Sequence, residues 1–240
     1  MQYLLEIKNR LILLFIAWFS TVLITYTYKE TLLFMIVQPY TSASMKESTN
    51  ISYFIFTDVT EILSVYLSLV MFLSFQILYA YIAYHFFLFL SPALFYMEYL
   101  LYRVVVIVMA GMWAISTVLS TYVLIPLTWY FFLSFQNLSL RHSLNLHFEA
   151  KLKEYLHFFI SSYFMYMFYF QCFTFLLLFL NCANFSIKKL KELRKFNYYC
   201  FAVLSTAISP PEIISQLCMG SIVILIYECT LFIYLLKINR

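Results

Sequence analysis

Residues 62–90 read ILSVYLSLVMFLSFQILYAYIAYHFFLFL, without a single Asp, Glu, Lys or Arg. An uncharged apolar run of 18 or more residues reads as a membrane-spanning helix. A hydrocarbon core of about 30 Å takes about 20 residues at 1.5 Å each. This run is longer than that, so its helix should tilt or project. In lipid the backbone must satisfy its own hydrogen bonds, and a helix does so.

Working outward, the other apolar segments separate at charged clusters. Spans are expected near 11–28, 62–90, 104–126, 155–182, 198–209 and 213–236. The first has 18 residues, about 27 Å of helix. The fifth has only 12, about 18 Å, and needs a thinned bilayer or shielding neighbours. Composition agrees. Hydrophobic residues are 64% of the 240 and charged ones 11%, against roughly 25% charged in a soluble domain. Mean hydropathy is +0.87. The fold class expected is all-α integral membrane, a single domain over 1–240.

Orientation follows from the basic residues. With the N-terminus inside, the inner face holds Lys8, Arg10, Arg103, Lys188, Lys189, Lys191, Arg194, Lys195, Lys237 and Arg240. The outer face holds Lys29, Lys46, Arg141, Lys151 and Lys153. Ten against five fits the positive-inside rule, and six spans put both termini inside. Segment 29–61 is the largest non-spanning stretch, and its centre, Thr41 to Ser52, reads as a solvated loop. The first apolar run, from Leu11, is too long and lacks a small-residue cleavage site, so no cleavable leader is expected.

Phe (27) and Tyr (22) are in excess while Gly occurs twice. The plain reading is drift in an AT-rich genome, which suggests organelle coding. Cys172, Cys182, Cys200, Cys218 and Cys229 form no C-x-x-C pair, so neither disulfides nor metal ligation is expected. Three Asn-x-Ser triplets, at Asn50, Asn137 and Asn184, are discounted as chance.

Catalytic motifs are missing: there is no H-E-x-x-H, no G-x-S-x-G and no Gly-rich phosphate loop. Enzymatic activity, a cofactor and a nucleic-acid partner are therefore not expected. His85 falls toward the inner face and His142, His147 and His157 near the outer one, so they cannot pair across a haem. A respiratory or ATP-synthase membrane subunit is the main alternative. It would need paired intramembrane His or a deep basic residue, and every Lys and Arg lies at a span end or in a loop. A small transporter should show repeats or broken helices, which two glycines and no repeat disfavour.

What remains is a handful of polar groups. Glu228 and Gln171 each lie about sixteen residues into an outside-to-inside span, at comparable depth. They are expected to face one polar cavity or to hydrogen-bond directly. An intramembrane carboxylate is costly, which favours a functional role for Glu228. For Gln171, helix–helix glue stands equally open, and for Gln76 glue is the better reading. Glu6 and Glu98 both fall at the inner surface. Singly they read as solvated carboxylates. Together they could grip paired arginines, since each guanidinium offers a planar fork of donors.

Several ordered motifs carry a resemblance. Ile208-Ser-Pro-Pro-Glu-Ile-Ile-Ser-Gln216 and Ile226-Tyr-Glu228 resemble the end of the TatC family. That family has a Pro-Pro-acid turn, a Ser-Gln pair and an aromatic-Glu in its last helix. Phe89-Leu-Ser-Pro-Ala-Leu-Phe95 with Glu98 is similar to its Phe-x-x-Pro-x-Leu-Tyr-x-x-Glu. Tyr3-Leu-Leu-Glu-Ile-Lys-Asn-Arg-Leu11 is similar to its His-Leu-x-Glu-Leu-Arg-x-Arg-Leu. Phe56-Thr-Asp58 with Glu61, Pro126-Leu127 and Arg194-Lys-Phe196 recur in family order. Departures include Tyr3 for His and Gln171 where many relatives have Glu. Ala80, Phe173 and Ser221 replace helix prolines.

The resemblance implies a cup-shaped bundle with a short fifth helix, and a receptor rather than an enzyme. It implies that Glu98 is the main partner of a twin-arginine signal peptide and Glu6 the second. Phe89 and Pro92 would form the site's wall, and Gln171 would lie near the leader's apolar part. Gln216 and Glu228 would dock TatA/TatB-type single-span proteins. Transport would draw on the proton-motive force, with folded precursors as cargo. Self-association is expected, as is a mitochondrial inner membrane, with a bacterial plasma membrane as the alternative.

Overall fold

The structure, a computed structural model, describes residues 2–45, 54–56, 58–139, 151–182, 187–209 and 213–238. Its helices are α1 (Gln2–Thr27), α2 (Lys29–Met45), α3 (Val59–Leu90), α4 (Tyr96–Leu119), α5 (Ile125–Ser139), α6 (Leu152–Cys182), α7 (Ile187–Ile208) and α8 (Ile213–Ile238). Among the described residues there is no strand, only an isolated bridge between Ile55 and Lys151. Among the described residues three helical runs, Tyr3–Thr27, Thr60–Ala93 and Tyr96–Phe132, are long and apolar enough to cross a membrane. Ile213–Cys229 is a shorter apolar helix. Large apolar side chains such as Phe15, Phe19, Tyr84, Phe86, Val118 and Phe168 face outward, as helices solvated by lipid require.

The chain divides into two compact units, Met1–Ala110 with Phe148–Ile160, and Gly111–His147 with Ser161–Arg240. In the first, α1 packs along α3, with Trp18 and Phe75 at 6.2 Å between ring centroids. Lys29 sits between the Tyr26 and Tyr66 rings, 4.5 and 5.0 Å from their centroids. Its ammonium is thereby held by two aromatic faces. The core is Val65 and Leu69 of α3 with Leu156 of α6. Leu32, Leu33 and Ile36 of α2 close over it. The Tyr155 hydroxyl donates to the Ile36 carbonyl at 3.0 Å.

Part of the segment expected to be loop is therefore helical. Thr41 to Met45 end α2, while Lys46 to Tyr53 lie outside the described residues. The cause is the spacing of Leu32, Leu33 and Ile36, which forms one helical stripe with a face to bury. The expected span 198–209 also changes character. It is the C-terminal part of α7, a 22-residue helix that starts at Ile187 and carries Lys188 through Lys195. Lys and Arg are good helix formers, so a charged cluster marks a membrane edge without ending the helix.

In the second unit α7 lies against α8. Phe201 meets Phe173 edge-on at 5.2 Å and Tyr227 at 5.5 Å. The Asn197 amide donates to the Tyr227 hydroxyl at 2.9 Å, and the Tyr169 hydroxyl donates to the Phe201 carbonyl at 3.3 Å. Gly220 faces Ser205, whose Oγ would stand 3.4 Å from an added Cβ. Small residues at such crossings let helix backbones approach.

Between α4 and α5 runs a π-helical turn, Ser120–Leu124, closed by the Ile125 amide on the Ser120 carbonyl. Pro126 follows at once. Proline has no N–H to give the carbonyl four residues back, and its ring would crowd that carbonyl. The wider turn accommodates it. By contrast α3, α6 and α8 run unbroken through Ala80, Phe173 and Ser221. Five buried Ser and Thr hydroxyls are satisfied within their own helices: Thr25, Ser74, Ser116, Thr128 and Ser205 each donate to a carbonyl one turn back.

Candidate functional site

Two sets of polar residues come together, one in each unit. The first lies where α1 begins, α3 ends and α4 begins. Glu6 and Arg10 stand one helical turn apart on α1. Arg10 Nε and Nη2 both donate to Glu6 Oε1, at 3.1 and 2.6 Å. Arg10 Nη1 donates to the His85 carbonyl at 3.4 Å, and its guanidinium carbon lies 5.9 Å from the Phe89 ring centroid. A single arginine thus ties the Glu6 carboxylate to the last turns of α3.

After Leu90 the chain makes a 3-10 turn, Ser91–Ala93, in which Pro92 occupies an early position that needs no donor. Leu94 is extended and α4 starts at Tyr96. Glu98 is the third residue of α4, and its Oε2 accepts the Phe95 backbone N–H at 3.2 Å. This is the returning half of a capping box. A carboxylate in the first turn also suits the positive end of the helix. Phe95, Tyr96, Met97 and Glu98 are all exposed. Behind them Phe87 stacks on Tyr102, centroids 5.4 Å apart and planes 14° apart. The start of α4 is so held against the end of α3. Among the described residues no cation pairs with Glu98.

The second set joins α7 to α8. The Glu228 carboxylate accepts Arg194 Nε at 3.0 Å, and also bonds Arg194 Nη2 and the Tyr198 hydroxyl. Gln216 is half-buried beside buried Ser215. Gln171 does not meet Glu228. Its Oε1 receives the Thr174 hydroxyl at 3.4 Å, and its buried Nε2 has no partner among the described residues. Of the two arrangements expected, a shared cavity or a direct bond, the direct bond is not formed: Arg194 and Tyr198 hold the Glu228 carboxylate instead.

Of the residues singled out in the sequence, Glu6, Phe89, Pro92 and Glu98 fall at one end of the first unit. Gln171, Gln216 and Glu228 fall in the second. Pro210, Pro211 and Glu212 of the turn motif lie outside the described residues. Arg10 and Arg194 were missed as site residues. Glu6 and Arg10 did carry a signal, the i,i+4 spacing of opposite charges. Arg194 stands in the Arg194-Lys-Phe196 motif, but its partner lies 34 residues away on another helix, a spacing that no local pattern shows.

The family model described as Sec-independent protein translocase protein (TatC) matches residues 2–221. The chain belongs to the TatC family. It is a multi-pass membrane subunit of the Tat translocase and not an enzyme. An uncharacterized TatC-like protein ymf16 of Nephroselmis olivacea is 28% identical, over 96% of this chain and 92% of its own. The Sec-independent protein translocase protein TatC of Rickettsia prowazekii (strain Madrid E) is 27% identical, over 97% and 90%. A crystal structure of the twin-arginine translocase receptor TatC in DDM superposes with a TM-score of 0.64 at 20% identity. That match covers 96% of this chain and 98% of that one. The all-helical fold is therefore that of TatC.

Proposed function

We propose that this TatC-family chain is the receptor that binds twin-arginine signal peptides of folded precursors, with Glu98 as first arginine partner and Glu6 as second. The observation that carries this reading is the contrast between Glu98 and its surroundings. The carboxylate is exposed among Phe95, Tyr96 and Met97, pairs with no cation among the described residues, and spends one oxygen on a backbone N–H. A guanidinium arriving there meets an unpaired charge, and the leader's apolar residues meet aromatic surface. Phe89 and Pro92 would shape the wall.

In this reading the chain spans the membrane six times with both termini inside, consistent with the bias of basic residues. Gln216 and Glu228 would dock TatA/TatB-type single-span proteins, and Gln171 would offer its amide to the leader's apolar segment. Copies of the chain would associate, and the proton-motive force would drive transport. The AT-rich composition and the ymf16 relatives favour a mitochondrial inner membrane over a bacterial plasma membrane. The test is cross-linking of a photoreactive twin-arginine peptide to the full chain in its native membrane. Glu98→Gln should abolish the adduct and Asp58→Asn should retain it. Undiminished cross-linking of the Glu98 variant contradicts the reading.

A further inference from the structure

We propose that Arg10 is an internal competitor at Glu6, a resident guanidinium that the second arginine of a bound peptide must displace. The inference rests on the receptor reading above and adds a regulatory contact to it. Arg10 presents the Nε–Nη2 edge, the edge a guanidinium uses for carboxylates, and both donors fall on Glu6 Oε1. Peptide arginine and Arg10 carry the same group and seek the same acceptor. The pair as a whole has no net charge, so Glu6 attracts a cation less than Glu98 does.

The geometry also gives Arg10 somewhere to stay. Its third nitrogen is on the His85 carbonyl and its plane is near the Phe89 ring. Losing Glu6 therefore leaves the guanidinium with a donor bond and an aromatic face on α3. Glu6 is the more reachable member, with its side chain 43% exposed against 23% for Arg10. An i,i+4 ion pair at such exposure is weak, which leaves it open to exchange. Among the described residues Glu98 carries no such competitor. A peptide thus anchors its first arginine at Glu98, and only the local concentration so gained lets its second arginine take Glu6 from Arg10. A cationic segment with one arginine gains little from Glu6.

The test uses the full chain in nanodiscs. Two labelled leader peptides are titrated, one with both arginines and one with a single arginine beside glutamine. Arg10→Gln should tighten binding of the twin-arginine peptide by about two- to fivefold, and of the single-arginine peptide by less. Adding Arg10→Gln to Glu6→Gln should give no tightening. Arg10→Lys keeps the charge and stem but loses the fork, so it should tighten the twin-arginine peptide by a smaller factor. It also serves if the glutamine variant folds poorly. Weaker or unchanged twin-arginine binding in both Arg10 variants would overturn the proposal, as would equal tightening of both peptides. Failure of Glu98→Gln to weaken binding would instead overturn the receptor reading itself.

Discussion

Arg194 of α7 and Glu228 of α8 form an ion pair that Tyr198 completes by donating to the same carboxylate. Both side chains are partly exposed, 40% and 34%. The pair joins two helices that also meet through aromatic and small residues and the Asn197–Tyr227 hydrogen bond. Arg194→Gln should lower thermal stability by about 0.5–1 kcal/mol, because the pair is partly exposed and Tyr198 still donates to the carboxylate. Arg194→Gln with Glu228→Gln should recover most of that loss. Melting in detergent checks it; equal destabilisation by the single and double variants contradicts it.

Gly220 marks the close approach of α8 to α7. Gly220→Ala puts a methyl at ordinary contact distance from Ser205 and removes a glycine from a helix interior, so it should be neutral or stabilise by up to about 1 kcal/mol. Gly220→Leu overfills the crossing and should cost about 1–3 kcal/mol. The same melting assay separates the two.

Asn197 is buried, and its amide donates to the Tyr227 hydroxyl. Asn197→Leu removes the donor and enlarges the side chain within a packed aromatic cluster. A loss of about 1–3 kcal/mol is expected, with α7 becoming more susceptible to protease. Unchanged digestion would show that the bond contributes little.

Glu98 has two separable roles. Glutamine keeps an acceptor for the Phe95 N–H and loses only the charge, whereas alanine loses both. Glu98→Gln should melt as the parent does while binding peptide poorly. Glu98→Ala should add a loss of about 0.5–1 kcal/mol from the unpaired helix start. A Glu98→Gln protein that binds normally would leave the carboxylate with its capping role alone.

Much of the fold was legible because lipid imposes one rule on every span. Residues 62–90 have no charge, and the helix found there runs Val59–Leu90. The extra helices are less legible because a charged cluster marks a membrane edge and leaves open whether the helix ends there. Lys188 to Lys195 continue α7, and the apolar stripe Leu32, Leu33 and Ile36 sits in a segment too short to span. Glu6, Glu98 and Glu228 stood out as acids in an apolar chain. Their basic partners did not, since Arg10 and Arg194 look like ordinary inner-face charge until helix register brings them to Glu6 and Glu228.

The most direct measurement is a double-mutant cycle between Glu98→Gln in the full-length protein and Arg→Gln at each arginine of the leader, read as peptide affinity in nanodiscs. Coupling of about 1.5 kcal/mol or more between Glu98 and one leader arginine is the expected result. Additive losses, with coupling near zero for both arginines, would contradict capture of the leader by this carboxylate.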